Sequence, residues 1–155
     1  ATLMQVSVRR ATSDDATALA GLRLAPLAEG GAQTPEPEAS TYVGFFTTWV
    51  DRNRSTHLPF VAVIGTDVVG AAWLVVGERV PSPERPYRRC GDVQSVYVLP
   101  EFSERGVGSA LIKAALAEAR RRGLEHVTVH SNDQAAPLYQ RVGFRRDPNW
   151  LSWNP

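Results

Sequence analysis

The chain contains one cysteine, Cys90, and one methionine among its 155 residues. A single thiol excludes an internal disulfide, fits a reducing compartment, and leaves Cys90 as an ordinary packed thiol rather than a nucleophile. Long apolar runs are missing: nothing approaches the ~18 consecutive apolar residues of a membrane span. The opening stretch ATLMQVSVRRATSDD lacks the basic-then-apolar layout of a secretory signal. Together these absences lead us to expect a cytoplasmic protein. An excess of one charge is missing too, since 17 Lys and Arg face 16 Asp and Glu, for a net charge of +1. With acids and bases interleaved, neither nucleic acid nor a membrane is expected as a partner. Internal repeats and low-complexity tails are absent, and no metal is expected.

What is present is an ordinary globular composition, 43% hydrophobic and 21% charged, at a length that suits one domain with a real core. We therefore expect residues 1–155 to form a single domain. VSVRRAT at 6–12 reads as a strand. Ser13 or Asp14 is expected to cap a helix through Leu19, Leu22 and Leu24. Residues 29–40, with two glycines and two prolines, read as a loop, and 42–53 as a helix. The apolar runs on either side of Gly65-Thr66-Asp67 predict a hairpin. A charged, proline-bearing loop at 77–89 then leads to a strand at 92–99. A strand at 126–130, a short helix over 134–142 and a last strand in GFRRDPNWLSW complete the order. The class is α/β (α+β): a mixed, mainly antiparallel sheet flanked by helices.

The stretch YVLPEFSERGVGSALIKAALAEARRRG, residues 97–123, carries the functional signal. Val107, Leu111, Ile112, Ala115, Leu116 and Ala119 form one apolar helical stripe. Arg120, Arg121 and Arg122 sit at the end that favours cations, and Gly123 is a natural stop. Gly106 and Gly108 stand where the helix begins. Unpaired N–H groups and the positive end of the helix dipole make such a start an anion site, and glycines let a phosphate approach the backbone. Two glycines alone are equally consistent with a simple turn. The P-loop pattern G-x-x-x-x-G-K-[ST] is absent, and the dinucleotide fingerprint fails because its third small position is Leu111.

A third pattern fits. SVYVLPEFSERGVGSALIKAAL resembles the central motif of the GNAT superfamily of acyl-CoA-dependent N-acetyltransferases: a strand ending in V-x-P, then [QR]-x-x-G-x-[GA] opening a helix. Val98, Pro100, Gly106 and Gly108 occupy those positions. NDQAAPLYQRVGF at 132–144 resembles the family's second motif, N-x-x-A-x-x-L-Y-x-x-x-G-F, through Asn132, Ala135, Leu138, Tyr139, Gly143 and Phe144. The resemblance covers about residues 60–154. Ser103 departs from it, standing where the family usually has Gln or Arg.

The resemblance implies that acetyl-CoA is the co-substrate, held by Ser103, Glu104, Arg105, Gly106, Val107, Gly108 and Ser109 around its phosphates. Val96, Tyr97 and Val98 would lie along the pantetheine arm. A bulge would splay this strand from HVTVH, leaving the backbone N–H of Val98 for the oxyanion. Asn132 would contact the pantetheine and Tyr139 would protonate the CoA thiolate. Without the family, Tyr139 reads equally as a core aromatic, and Asn132 as a helix cap, with Ser131 and Gln134 as a capping box. Asp92 is the candidate base, with Glu101, Glu104 and His130 as alternatives. The acceptor, a small-molecule or peptide amine, would lie against the first two helices, their loop and the 77–89 segment. There Tyr42, Phe45, Phe46 and Trp49 read either as its wall or as the helix's core face. Family members are often dimers, which implies a homodimer. A regulatory module that binds acyl-CoA without transfer is the rival reading.

Overall fold

The computed structural model describes residues 5–155. Residues 1–4, part of the stretch read against a secretory signal and of the expected 1–155 domain, lie outside the described residues. The strands are β1 (Ser7–Arg10), β2 (His57–Ile64), β3 (Asp67–Glu78), β4 (Arg89–Val98) and β5 (Val127–Val129). The helices are α1 (Ala16–Glu29), α2 (Glu38–Arg52), α3 (Val107–Arg121) and α4 (Ala136–Arg141). One sheet holds the strands in the order β1-β2-β3-β4-β5. It is antiparallel from β1 to β4, and β5 joins β4 in parallel. This is the expected mixed, mainly antiparallel sheet.

β2 and β3 read as nearly continuous apolar runs because both faces of the sheet are covered. Alternation along β3 sends Ala72, Leu74 and Val76 to one apolar layer, with Val107, Leu111, Ile112 and Ala115 of α3. Ala71 and Trp73 go to the other, with Leu19 and Leu22 of α1 and Phe46 of α2. Gly65 makes the expected hairpin turn at φ +61°.

The helix ends correct several expectations. A 3₁₀ turn, Ser13–Asp15, with Thr12 at its cap position, precedes α1, and α1 itself starts after Asp15, so neither Ser13 nor Asp14 caps it. The Asp15 carboxylate accepts the N–H of Thr12 at 2.7 Å and two bonds from the Arg9 guanidinium at 2.7 and 3.0 Å. α2 begins at Glu38, four residues before the expected position. Pro35 and Pro37 lie ahead of its first turn, where a missing N–H is harmless. α3 ends as read: Leu124 donates to the carbonyl of Ala119 at 3.1 Å, Gly123 to that of Arg120 at 3.1 Å, and Gly123 adopts φ +69°.

The last strand expected from GFRRDPNWLSW does not form. The N–H of Asn149 donates to Asp147 Oδ1 at 2.8 Å, and that turn breaks the run at Asp147-Pro148. Trp150 instead lies 4.9 Å from the His126 ring, centroid to centroid. Among the described residues, β5 pairs with β4 alone.

Candidate active site

β4 carries an irregularity on which the rest of the site depends. Trp73 of β3 pairs with Gln94, and Ala71 with Tyr97, so two steps on β3 match three on β4. The extra residue is a bulge, and Ser95 within it has φ +55°. The bulge shifts the strand's alternation by one. Val93 and Val96, three apart, both pack on the α3 side, and Tyr97 packs on the α1 and α2 side.

The bulge coincides with a fork. The parallel pairing with β5 ends at the Val93–Val129 rung, while β4 runs on to Val98, paired only with β3. Leu99 donates its N–H to the carbonyl of Val69 on β3 at 2.8 Å. Alternation therefore turns the N–H of Val98 toward the edge that β5 has left. The splayed strand that the family resemblance implies is present, with Val96, Tyr97 and Val98 on its free stretch.

Beyond β4, a 3₁₀ turn over Pro100–Phe102 leads into the start of α3. Ser103 Oγ donates to the Pro100 carbonyl at 2.8 Å, so this side chain closes the turn. The Arg105 guanidinium lies 5.9 Å from the Phe102 ring centroid, which holds a cation beside the loop. Glu104 and Gly106 have φ of +61° and +78°; the left-handed cap needs a glycine at 106. The first helical bond runs from the N–H of Ala110 to the carbonyl of Gly106 at 3.0 Å. The N–H groups of Val107, Gly108 and Ser109 thus precede the first helical bond, and no side chain caps the end. The Val107 side chain is buried in the core, leaving only its backbone for a ligand. A Cβ on Gly108 would sit 3.5 Å from Leu138 Cδ2, which places α4 against the first turn of α3.

α4 begins one residue before Pro137, as its missing N–H requires. Asn132 Oδ1 accepts the N–H of Ala135 at 2.8 Å, so it caps this turn. Ser131 Oγ donates to the Asn132 carbonyl at 2.9 Å, and a Ser131–Gln134 capping box does not form. Tyr139 is 8% exposed and belongs to the α3-side core. Its ring meets Phe144 edge-on at 5.6 Å between centroids. It also lines a cavity of about 300 Å³ with Val127, Thr128 and Val129 of β5. The ring is thus core on one side and cavity wall on the other. Burial raises its phenol above the ordinary value.

Asp92 sits on the rung before the fork, opposite Thr128. Its Oδ1 accepts from Thr128 Oγ1 at 2.7 Å and its Oδ2 from Gln94 Nε2 at 2.9 Å. Glu101, Glu104 and His130 are exposed. Tyr97 turns its side chain under α1, and its hydroxyl is buried without a partner. Burial, with smaller contributions from Glu29 and Glu101, pushes that phenol up to about 12.

On the opposite face of the sheet, α1, α2, β2, β3 and β4 line a second, partly open cavity of about 230 Å³. Tyr42, Phe45, Phe46 and Trp49 line it, although Phe46 is also buried core and Phe45 is 66% exposed. The structure adds Arg23, His57, Trp73, Gln94 and Ser95, which the sequence reading did not single out. Only for Trp73 is there a sequence signal: it shares a strand face with Ala71. The expected contribution of the 77–89 segment is not found in this lining. Arg79, Arg85 and Arg88 are instead drawn to Glu125, with contacts of 3.7, 3.0 and 2.7 Å. Among the described residues there is no cluster of His, Cys, Asp and Glu able to hold a metal, and no helix long and apolar enough to cross a membrane.

A forked, mainly antiparallel sheet with an uncapped helix start at the fork defines an acyltransferase-type fold. The chain belongs to the acetyltransferase (GNAT) family, whose model matches residues 23–144. It is 42% identical over 81 residues to the mycothiol acetyltransferase of Salinispora arenicola, covering 50% of this chain and 25% of that protein. It is 32% identical over 78 residues to the glucosamine 6-phosphate N-acetyltransferase of Trypanosoma brucei brucei, covering 50% and 51%. The matched segments thus span a quarter to a half of these relatives. A predicted acetyltransferase from Clostridium acetobutylicum, solved with acetyl-CoA, superposes with a TM-score of 0.73 at 18% identity over 97% of this chain and 96% of that one.

Proposed function

We propose that the protein transfers the acetyl group of acetyl-CoA to an amine by direct attack. The observation that carries this reading is the fork: β4 runs past its last rung with β5 toward an α3 start with three N–H groups outside the helical bonding. The N–H groups of Val107, Gly108 and Ser109, with Arg105 beside them, suit the pyrophosphate. Ser103 and Glu104 shape that turn. The free edge of β4 over Val96–Val98 suits the pantetheine as an added strand, with Asn132 as a further contact for it. The amine nitrogen attacks the thioester carbon, and the oxyanion that forms takes the N–H of Val98. The carbon–sulfur bond then breaks, Tyr139 gives its proton to the thiolate, and the amine proton leaves to Asp92 or to water. Asp92 stands one rung before the fork, held in place by Gln94 and Thr128. The donor site and the expected cytoplasmic setting suit a soluble amine acceptor.

Thermal unfolding with acetyl-CoA, ATP and NAD tests this reading. Acetyl-CoA at ~100 times its dissociation constant is expected to add about 2.7 kcal/mol, a rise of several degrees in Tm. Equal shifts with all three ligands, or none at millimolar acetyl-CoA, would remove the assignment of the α3 start to CoA.

A further inference from the structure

The cavity on the α1 and α2 face makes a narrower statement about the acceptor, one that rests on the proposed transfer. Its body is aromatic. Tyr42 and Phe46 lie 5.7 Å apart, Phe46 and Trp73 6.0 Å, and Trp49 and Trp73 5.9 Å, centroid to centroid. Rings packed in this way form a stiff apolar box. At about 230 Å³ the box is smaller than the ~300–1,000 Å³ of drug-sized sites. It has room for one ring or one branched apolar group.

Its charge is one-sided. The cavity lining contains no Asp or Glu, and Arg23 is its one permanent cation. Burial lowers the pKa of His57, the other titratable base in the lining, and favours a neutral imidazole. A polycation would meet a like charge in this lining, and the carboxylate beside it, Asp92, is already held by Gln94 and Thr128. Arg23 makes one side-chain hydrogen bond among the described residues, to Ser95 Oγ at 2.8 Å, and a guanidinium has five N–H donors. Several remain for an anion at the rim.

The third element is Gln94. Its Nε2 donates to Asp92 Oδ2 at 2.9 Å. An ionised carboxylate only accepts, so this bond fixes the amide and leaves Oε1 for an N–H donor. Gln94 and Ser95 are also the first two residues of β4 beyond the last rung with β5. The acceptor oxygen and the Arg23 anchor therefore both stand at the fork, with the aromatic box behind them. His57 pairs across β2 and β3 with Val75, about 10 Å from β4 at ordinary strand spacing. It belongs to the far wall of the box and is too distant to serve as a base at the fork.

We infer that the acceptor is a compact amine with one apolar or aromatic group and one anionic group, in the manner of an apolar α-amino acid. The ring would fill the box, the anion would pair with Arg23, and the amine would present an N–H to Gln94 Oε1. The product is the N-acetyl amide and free CoA thiol.

The test uses the whole chain with acetyl-CoA and follows thiol release. Acceptors are L-phenylalanine, phenethylamine (no anion), L-alanine (no ring), glucosamine 6-phosphate and spermidine. L-phenylalanine is expected to exceed phenethylamine and L-alanine at least tenfold in kcat/KM, and spermidine to be the poorest. Arg23→Gln should reduce the preference for L-phenylalanine over phenethylamine about tenfold, and Arg23→Lys should restore part of it. Circular dichroism confirms that both variants fold. Highest activity with spermidine or glucosamine 6-phosphate, or an unchanged preference in Arg23→Gln, would overturn the inference while leaving acetyl transfer intact. Tryptophan fluorescence read on L-phenylalanine titration separates the two readings. Saturable quenching that Arg23→Gln weakens supports the box even if acetyl-CoA fails to bind, and no quenching counts against it.

Discussion

At the scale of single residues, Tyr139 combines a core position with the proton transfer proposed for it. Its ring is part of the core and its hydroxyl forms no hydrogen bond with a described residue, so the two roles separate on mutation. Tyr139→Phe keeps the ring and its edge-on contact with Phe144. We expect acetyl-CoA affinity and Tm to stay near wild type while kcat falls about 10²-fold, the usual size of a general-acid contribution. Steady-state kinetics with calorimetric titration of acetyl-CoA checks this; an undiminished kcat would remove Tyr139 from the reaction. Burial raises the phenol's pKa above its ordinary value, so the proton to be donated stays in place through neutral and mildly alkaline pH. Its loss contributes no falling limb to the rate profile below about pH 10.

At the scale of elements, the fork requires β4 and β5 to be locked before they part. Gly91 faces Val127 on the first rung, and a Cβ there would come within 2.9 Å of both Leu124 Cδ1 and Leu74 Cδ1. Gly91→Ala must displace two leucine methyls, one on the fully buried Leu74 and one on the half-buried Leu124. We expect a loss of about 1–3 kcal/mol, typical of overpacking, read from urea denaturation. A variant as stable as wild type would mean that the β4–β5 seam yields freely. The bulge has the opposite character, since it spends regularity to place Gln94 and Ser95 at the second cavity. Because it also reverses strand parity, removing one residue at 95 would send Tyr97 to the wrong face.

At the scale of the whole molecule, the ion pairs tie distant parts of the chain together. Arg10 of β1 reaches Glu118 of α3 at 3.5 Å, and Arg9 joins β1 to the start of α1 through Asp15. The bonds from Arg9 hold the Asp15 carboxyl below the usual range, against the opposing effect of burial. A depressed carboxylate adds stability above the unfolded pKa of ~3.9, and that stability is lost as pH falls through the folded value. Arg9 is 47% exposed, which screens the pair, so we expect Arg9→Gln to cost about 1 kcal/mol at pH 7. The difference from wild type should shrink below about pH 4. Urea titrations from pH 7 to 3 measure it, and a constant difference across that range would assign the cost to packing instead.

Local rules carried much of this structure. The stripe of α3 and its stop at Gly123, the hairpin at Gly65 and the start of α4 before Pro137 follow from spacing and backbone chemistry within a few residues. The paired motifs placed Gly106, Gly108, Asn132 and Tyr139 around one region. Other features needed the chain to close on itself. Apolar periodicity alone does not reveal which rung ends the β4–β5 pairing, because that depends on two strands separated by α3. The final strand failed because a local turn at Asp147 outweighed the apolar pattern after it. The second cavity was hidden for a related reason: Arg23, Trp73 and Gln94 come from three elements, and each looks ordinary in its own segment. The sequence by itself determined most of the elements, the final strand excepted, and the start of α3, whose physics is local. The tertiary structure decided the bulge, the fork and the aromatic box, because these are relations between strands and helices that meet only in the folded chain.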